Sequence, residues 1–189
     1  IFLVCYLFFV ITSYSQNGFE NFQFRSIKEG ISKRGAWSIT QDKNGYIWIG
    51  TNGAGLYKFD GINYVVYESN WNNAKSINSN LIYTTYVDSK NKLWVGTEEG
   101  LCLYDRDLNA FDTNNIKKVL KINSTDIVTV RSLIENNEGD LLIGTEQYGL
   151  LKLEIKTLKV VTGKSSVPAK GDLFIRSLAK NNQGKVFVA

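Results

Sequence analysis

The sequence predicts an all-β fold, a β-propeller fragment of about three and a half four-stranded blades belonging to a larger ring of about seven. Three observations predict it. First, an apolar pair followed by Gly-Thr recurs as Trp48-Ile49-Gly50-Thr51, Trp94-Val95-Gly96-Thr97 and Leu142-Ile143-Gly144-Thr145, with Gly-to-Gly steps of 46 and 48 residues. Second, short apolar strands and Gly- or Asn-bearing turns alternate within each period, and a fourth copy begins at Ile175 and runs to Ala189. Third, ten Tyr, ten Phe and four Trp accompany 16 Gly and a single Pro, a composition suited to strands joined by turns.

Taken in order, Ile1 to Tyr14 is an apolar run without charge that ends in Ser13-Tyr14-Ser15. It reads as a clipped signal peptide over residues 1–15, cut after Ser15; it is shorter than the ~20 residues of a spanning helix. Residues 19–35 form an N-terminal strand or arm. Phe22 and Phe24 share one face there at period two, as in a strand that could close the ring. Blade 1 is assigned to 36–80, blade 2 to 81–129, blade 3 to 130–173 and a partial blade 4 to 174–189.

Each unit opens on an apolar-rich strand: Ala36–Ile39, Ile82–Thr85, Val130–Leu133 and Ile175–Leu178. Polar turns follow, ending at Gly45, Asn91, Gly139 and Gly184. Gly and Asn best tolerate the positive φ of a tight hairpin with a bulge. The second strands, Tyr46–Thr51, Leu93–Thr97, Leu141–Thr145 and Val186–Ala189, are nearly continuously apolar, as expected of strands buried on both faces between neighbouring blades. Trp48 and Trp94 take equivalent places there, with Leu142 and Phe187 as substitutes, and read as packing between blades. With Gly50, Thr51, Gly96, Thr97, Gly144 and Thr145 they form the structural repeat. Third strands run Gly55–Asp60, Gly100–Asp105 and Gly149–Glu154. The fourth are weaker: Tyr64–Tyr67, a stub near Ala110-Phe111, and Lys159–Thr162. Long polar connections link the blades over Glu68–Asn80, Asp112–Thr129 and Gly163–Asp172.

The net charge of +4 over 189 residues gives no case for nucleic-acid binding, and the small cluster Lys117-Lys118 with Lys121 reads as a solvated loop. Beyond the leader one cysteine remains, Cys102, in an apolar run that suits a buried inert thiol. The chain has no His, which excludes His-based acid–base chemistry and His metal ligands within these residues. No cofactor or metal is expected, and no catalytic residue. Asp42 and Asn44 lack the rest of a calcium loop and read as turn chemistry.

The phrases Lys28-Glu29-Gly30-Ile31-Ser32, Ala36 through Thr51 and Gly55-Leu56-Tyr57-Lys58-Phe59-Asp60-Gly61, with Ser76-Ile77-Asn78-Ser79-Asn80 entering blade 2, resemble the two-component regulator propeller repeats of Bacteroidetes hybrid sensor proteins. The resemblance covers residues 19–189. The chain departs from the repeat pattern at Asn91, which replaces a turn Gly, and at Leu142, which replaces an aromatic. In the family's fullest form a signal peptide precedes two propellers. An immunoglobulin-like domain, a membrane helix, a histidine kinase, a receiver and often a helix-turn-helix output domain follow. The resemblance implies a periplasmic, glycan-responsive sensing segment of a hybrid two-component regulator. The expectation is a segment that is not itself an enzyme, in a parent anchored in the inner membrane by a helix beyond residue 189 and able to form a homodimer.

Propellers bind ligands where the loops between second and third strands meet the blade connections. That face gathers Asn52-Gly53-Ala54, Glu98-Glu99 and Glu146-Gln147-Tyr148. At one equivalent position the inner strands place Trp37, Tyr83, Arg131 and Arg176. Aromatic faces stack on sugar rings and Arg pairs with carboxylate or sulfate, so this rim suits an oligosaccharide or other small ligand, especially an acidic one. Glu98, Glu99, Gln147 and Tyr148 are expected around it, and Trp71 in the first long connection is a further candidate. The same side chains also suit packing at blade edges, with the arginines paired to Glu98, Glu99 or Glu146. Two other functions compete with the sensor: a secreted propeller lyase, whose chemistry resembles His-dependent elimination, and a secreted protein-interaction scaffold.

Overall fold

A computed structural model describes residues 34–113, 127–161 and 174–189. The leader over 1–15, nearly all of the arm over 19–35, the Lys117–Lys121 cluster and the whole of the last connection lie outside these residues. The described chain is all β-strand, turn and loop, arranged as successive antiparallel meanders. Blade 1 comprises β1 (Ala36–Gln41), β2 (Ile47–Thr51), β3 (Leu56–Phe59) and β4 (Tyr64–Tyr67). Blade 2 comprises β5 (Ile82–Val87), β6 (Leu93–Thr97), β7 (Gly100–Asp105) and β8 (Ala110–Asp112). Then come β9 (Val130–Glu135), β10 (Leu141–Thr145), β11 (Leu150–Glu154) and β12 (Lys159–Val161), and a two-stranded sheet of β13 (Leu178–Lys180) and β14 (Val186–Val188). In each four-stranded sheet the strands pair in sequence order, and the inner strands β1, β5 and β9 lie side by side. The arc is open: Ile39 in the first sheet and Phe187 in the last are 70% and 51% exposed.

The expected opening strand of the fourth unit is shorter than its counterparts, beginning at Leu178. Its first residues nonetheless keep the pairing. The Arg176 and Ser177 N–H groups both donate to the Ala189 carbonyl, and the Ile175 N–H donates to the Thr145 carbonyl of the preceding blade.

The first hairpin of each unit shows why an acidic or amide side chain opens the turn. The Asp42 N–H donates to the Tyr46 carbonyl, and the Gly45 N–H donates back to the Asp42 carbonyl. The Asp42 Oδ1 accepts the N–H groups of Asn44 and Tyr46 at 2.9 and 3.1 Å. Asp88, Asn136 and Asn181 repeat this pattern on Lys90 and Lys92, Glu138 and Asp140, and Gln183 and Lys185. The turn closes at positive φ on Gly45, Asn91, Gly139 and Gly184, with values of 89°, 65°, 82° and 83°. Asn91 therefore takes the place of the repeat's glycine, since its short polar side chain tolerates the left-handed region.

The core lies between blades. Trp48 from blade 1 is fully buried among Ile82, Leu93, Val95, Cys102, Tyr104 and Phe111 of blade 2. Trp94 is buried against Val130, Leu133, Leu141 and Ile143 of the third sheet. The indoles are also held by hydrogen bonds: Trp48 Nε1 donates to Asp42 Oδ2 at 2.8 Å and Trp94 Nε1 to Asp88 Oδ2 at 3.0 Å. Where Asn replaces the acid, at Asn136 and Asn181, the residue six positions on is Leu142 or Phe187, which has no side-chain N–H to donate.

Blade contact also explains the recurrent Gly of the Gly-Thr phrase. A Cβ on Gly50, Gly96 or Gly144 would lie 2.5, 2.6 or 2.7 Å from a methyl of Ile82, Val130 or Ile175, the residue that opens the next blade. The Thr that follows closes the loop beyond it. Thr51, Thr97 and Thr145 donate Oγ1–H to the carbonyls of Gly55, Gly100 and Gly149 and accept the N–H of Ala54, Glu99 and Tyr148.

Candidate functional site

One residue near the start of each inner strand escapes the ladder. Ala36 opposes Thr51 and Ser38 opposes Gly50, leaving Trp37 as the extra residue of a β-bulge. Ile82 and Thr84 oppose Thr97 and Gly96, leaving Tyr83. Val130 and Ser132 oppose Thr145 and Gly144, leaving Arg131. The paired donation of Arg176 and Ser177 to Ala189 is the same irregularity in the fourth unit. A bulge re-aims a side chain at a sheet edge without disturbing the pairing beyond it.

These four side chains, with Phe174, line one cleft of about 370 Å³. They stack into a single ladder. The Trp37 and Tyr83 rings are nearly parallel, 9° apart with centroids at 5.1 Å. The Arg131 guanidinium lies 3.8 Å from the Tyr83 centroid and 5.5 Å from that of Phe174. The Arg176 guanidinium lies 5.0 Å from the same Phe174 ring. Tyr83 is thus flanked by Trp37 of the preceding blade and Arg131 of the next, which leaves its hydroxyl and edge for a ligand rather than an open face. Trp37 remains 46% exposed.

The two arginines differ in their electrostatics. Arg131 is ion-paired to Glu146, with Nε donating to Oε1 at 2.5 Å and the Nη2 group meeting the same oxygen. Of the three acids expected as partners, Glu146 takes this role. Arg176 is exposed and makes no ion pair with the described residues.

The other expected site residues do not line the cleft. Gln147 is engaged with Thr129, accepting its N–H at Oε1 and donating Nε2 to its hydroxyl. Glu98 and Glu99 contribute their backbone carbonyls, to Thr129 and Asn78. Tyr148 is 41% exposed on the loop after β10, and Trp71 is 93% exposed in the first connection. Repeat alignment missed Phe174, which stands one residue before the gap-free block, where the other units have Gly35, Leu81 and Thr129. Its spacing of two from Arg176 was the available signal. Among the described residues no group of three His, Cys, Asp or Glu side chains is placed to hold a metal ion.

At the opposite, turn end of the blades, Arg106 ties blade 2 to blade 1. Its Nη1 reaches Asp42 Oδ2 at 2.9 Å, and Nε and Nη2 donate to the Asn91 carbonyl. Burial pushes the Asp42 carboxyl up, but the bonds from Trp48, Arg106 and Asn44 outweigh it and hold the group below the usual carboxylate range.

Comparison with known proteins agrees with the repeat pattern. Residues 30–53 and 76–99 each match the family model described as two component regulator propeller. Histidine kinase P4 of Formosa agariphila is 36% identical over 77 residues, which is 40% of this chain and 5% of that protein. The crystal structure of the extracellular domain of the hybrid two component system BT3049 from B. thetaiotaomicron superposes with a TM-score of 0.70 at 28% identity. That match covers 88% of this chain and 23% of the other. A virginiamycin B lyase from Staphylococcus aureus, solved as an inactive variant with quinupristin, shares the fold at a TM-score of 0.58 and 10% identity, over 82% of this chain and 49% of the lyase. The chain spans about a quarter or less of the first relatives it matches. Its bulged blades, its Gly-Thr repeats and these matches together show a propeller fold in which two segments, residues 30–53 and 76–99, are similar to two-component regulator propeller repeats.

Proposed function

We propose that the chain is part of an extracytoplasmic sensor propeller of a hybrid two-component regulator, exported to the periplasm, and that its inner rim contacts an acidic oligosaccharide. The observation that carries this reading is the ladder in one cleft of Trp37, Tyr83 and Arg131, each freed by a bulge, with Arg176 at the equivalent irregularity of the fourth unit and Phe174 beside it. An exposed indole offers a face to a pyranose ring, and a neighbouring guanidinium offers a bidentate fork to its carboxylate or sulfate. Ligand contact across several blades would bias their relative packing, which is the physical route from the rim to domains that follow. The segment's role is binding rather than catalysis.

The test is calorimetry of the full-length protein against a panel of neutral and acidic oligosaccharides, with Trp37→Ala and Arg176→Ala beside the parent. The expected result is binding of acidic members, weakened at least ~10-fold by either substitution, as loss of a charged hydrogen bond or a stacking face implies. Parental affinity in both variants, with a ligand bound, would place recognition elsewhere and leave this rim structural.

A further inference from the structure

The two arginines of the rim carry the same repeat position but not the same available charge. We infer that Glu146 is a built-in anion that occupies the fork of Arg131, so that the cleft presents one anion-binding cation, Arg176, and accepts a single carboxylate or sulfate at that end. The inference rests on the rim being the binding surface, and it names the charge that the surface reads.

Four observations carry it. Arg131 directs Nε and Nη2 at one carboxylate oxygen of Glu146, the geometry in which an external anion would otherwise be held. The pair is half-buried, with side-chain exposures of 30% and 21%, so solvent screens it less than it would a surface pair. Arg131 is further clamped between the Tyr83 and Phe174 rings, which fixes the plane of its guanidinium. Arg176 shares the Phe174 ring, is exposed, and has no acid among the described residues to neutralise it. The Arg131–Glu146 pair therefore carries no net charge, and the stacked guanidinium is a spacer between Tyr83 and Phe174. Arg176 is the cation a ligand meets. Glu146 excludes a second anion from the middle of the ladder, which would set the spacing of charges on an accepted ligand.

The probe is inorganic sulfate, and the readout is phenylglyoxal modification of arginine in the full-length protein, mapped by peptide mass spectrometry. In the parent, Arg176 should be labelled readily and protected by sulfate, whereas Arg131 should be labelled slowly and show no sulfate protection. In Glu146→Gln, which keeps the side-chain volume and removes the charge, Arg131 should label about tenfold faster and gain sulfate protection. The sulfate midpoint for protecting Arg176 should fall by about tenfold as a second cation joins the site. Arg131→Gln leaves the Glu146 carboxylate without its partner in the same rim and should raise the sulfate midpoint for protecting Arg176 by about tenfold. Sulfate protection of both arginines in the parent, protection of neither, or an unchanged pattern in Glu146→Gln each overturns the inference. The oligosaccharide reading stands or falls separately. If the glycan panel shows no binding while sulfate gives the stated pattern, the charge assignment survives without the sugar. Glycan binding with the wrong sulfate pattern keeps the sensor and removes the role of Glu146.

Discussion

Replacing Asp88 by Asn tests why an acid and an indole travel together in this repeat. Asp88 is 2% exposed and Trp94 is fully buried. Three donors converge on the carboxylate: Lys90 N–H and Lys92 N–H on Oδ1 at 2.9 and 2.8 Å, and Trp94 Nε1–H on Oδ2 at 3.0 Å. An amide has one acceptor oxygen where the carboxylate has two, so whichever way the substituted side chain turns, its NH₂ group faces a donor. One buried hydrogen bond is lost and two donors confront each other, at a cost of about 1–3 kcal/mol. Trp94→Leu should cost about 2–4 kcal/mol, because leucine leaves part of the indole's volume empty. In the double variant the indole donor is gone, and the amide can serve the turn as Asn136 does above Leu142, with bonds of 3.1 and 2.8 Å. Asp88→Asn should then cost close to nothing, giving a coupling of about 1–3 kcal/mol. The assay is urea unfolding of the full-length protein followed by far-UV circular dichroism, since tryptophan fluorescence is altered by the substitution itself. An equal cost of Asp88→Asn in the two backgrounds would refute the argument and leave the pairing of Asp with Trp a coincidence of sequence.

Two further outcomes follow from blade contacts. Gly96→Ala puts a methyl 2.5 Å from Thr84 Cγ2, 2.6 Å from Val130 Cγ1 and 2.9 Å from the Val130 carbonyl. It should destabilise by about 1–3 kcal/mol in chemical denaturation, whereas Gly61→Ala, which meets no atom within 4 Å, should leave packing untouched and cost only its positive-φ strain. Asp42 has a folded pKa held below its unfolded value of about 3.9. Its contribution to stability is therefore present above about pH 4 and is lost as pH falls through the lower folded value. Arg106→Gln removes one of the groups holding that pKa down. Its destabilisation should be full at about pH 7 and shrink towards about pH 2 in paired denaturation curves, and a penalty independent of pH would show that the ion pair contributes nothing.

Much of the fold was legible because the repeat restates itself. The Gly-Thr phrase, the turn glycines and the apolar second strands each occur often enough to locate most strands closely, and the burial of Trp48 and Trp94 follows from strands that are apolar on both faces. The rim position was legible for the same reason: Trp37, Tyr83, Arg131 and Arg176 align without a gap. What frees those side chains was not legible. A bulge is a difference in register between two strands, and no residue type in Ala36-Trp37-Ser38 or Val130-Arg131-Ser132 announces it. The choice of Glu146 over Glu98 or Glu99 as partner of Arg131 depends on neighbouring loops meeting in space. The role of Asp42 beneath the Trp48 indole was also hidden, because the same residue explains itself as a turn opener. Phe174 was missed because only one of the four units carries an aromatic there.

The bulge at the head of each inner strand separates two kinds of selection. A residue left out of the ladder lies outside the buried core between blades and touches its neighbours only along the rim, so exchanging it alters what the rim displays and leaves the core intact. Trp, Tyr, Arg and Arg at four successive bulges can thus be read as four interchangeable letters on an unchanging frame. Under the proposed sensing role, a lineage of such propellers changes what its rim contacts by rewriting those letters alone, one blade at a time, without first acquiring stability to spare.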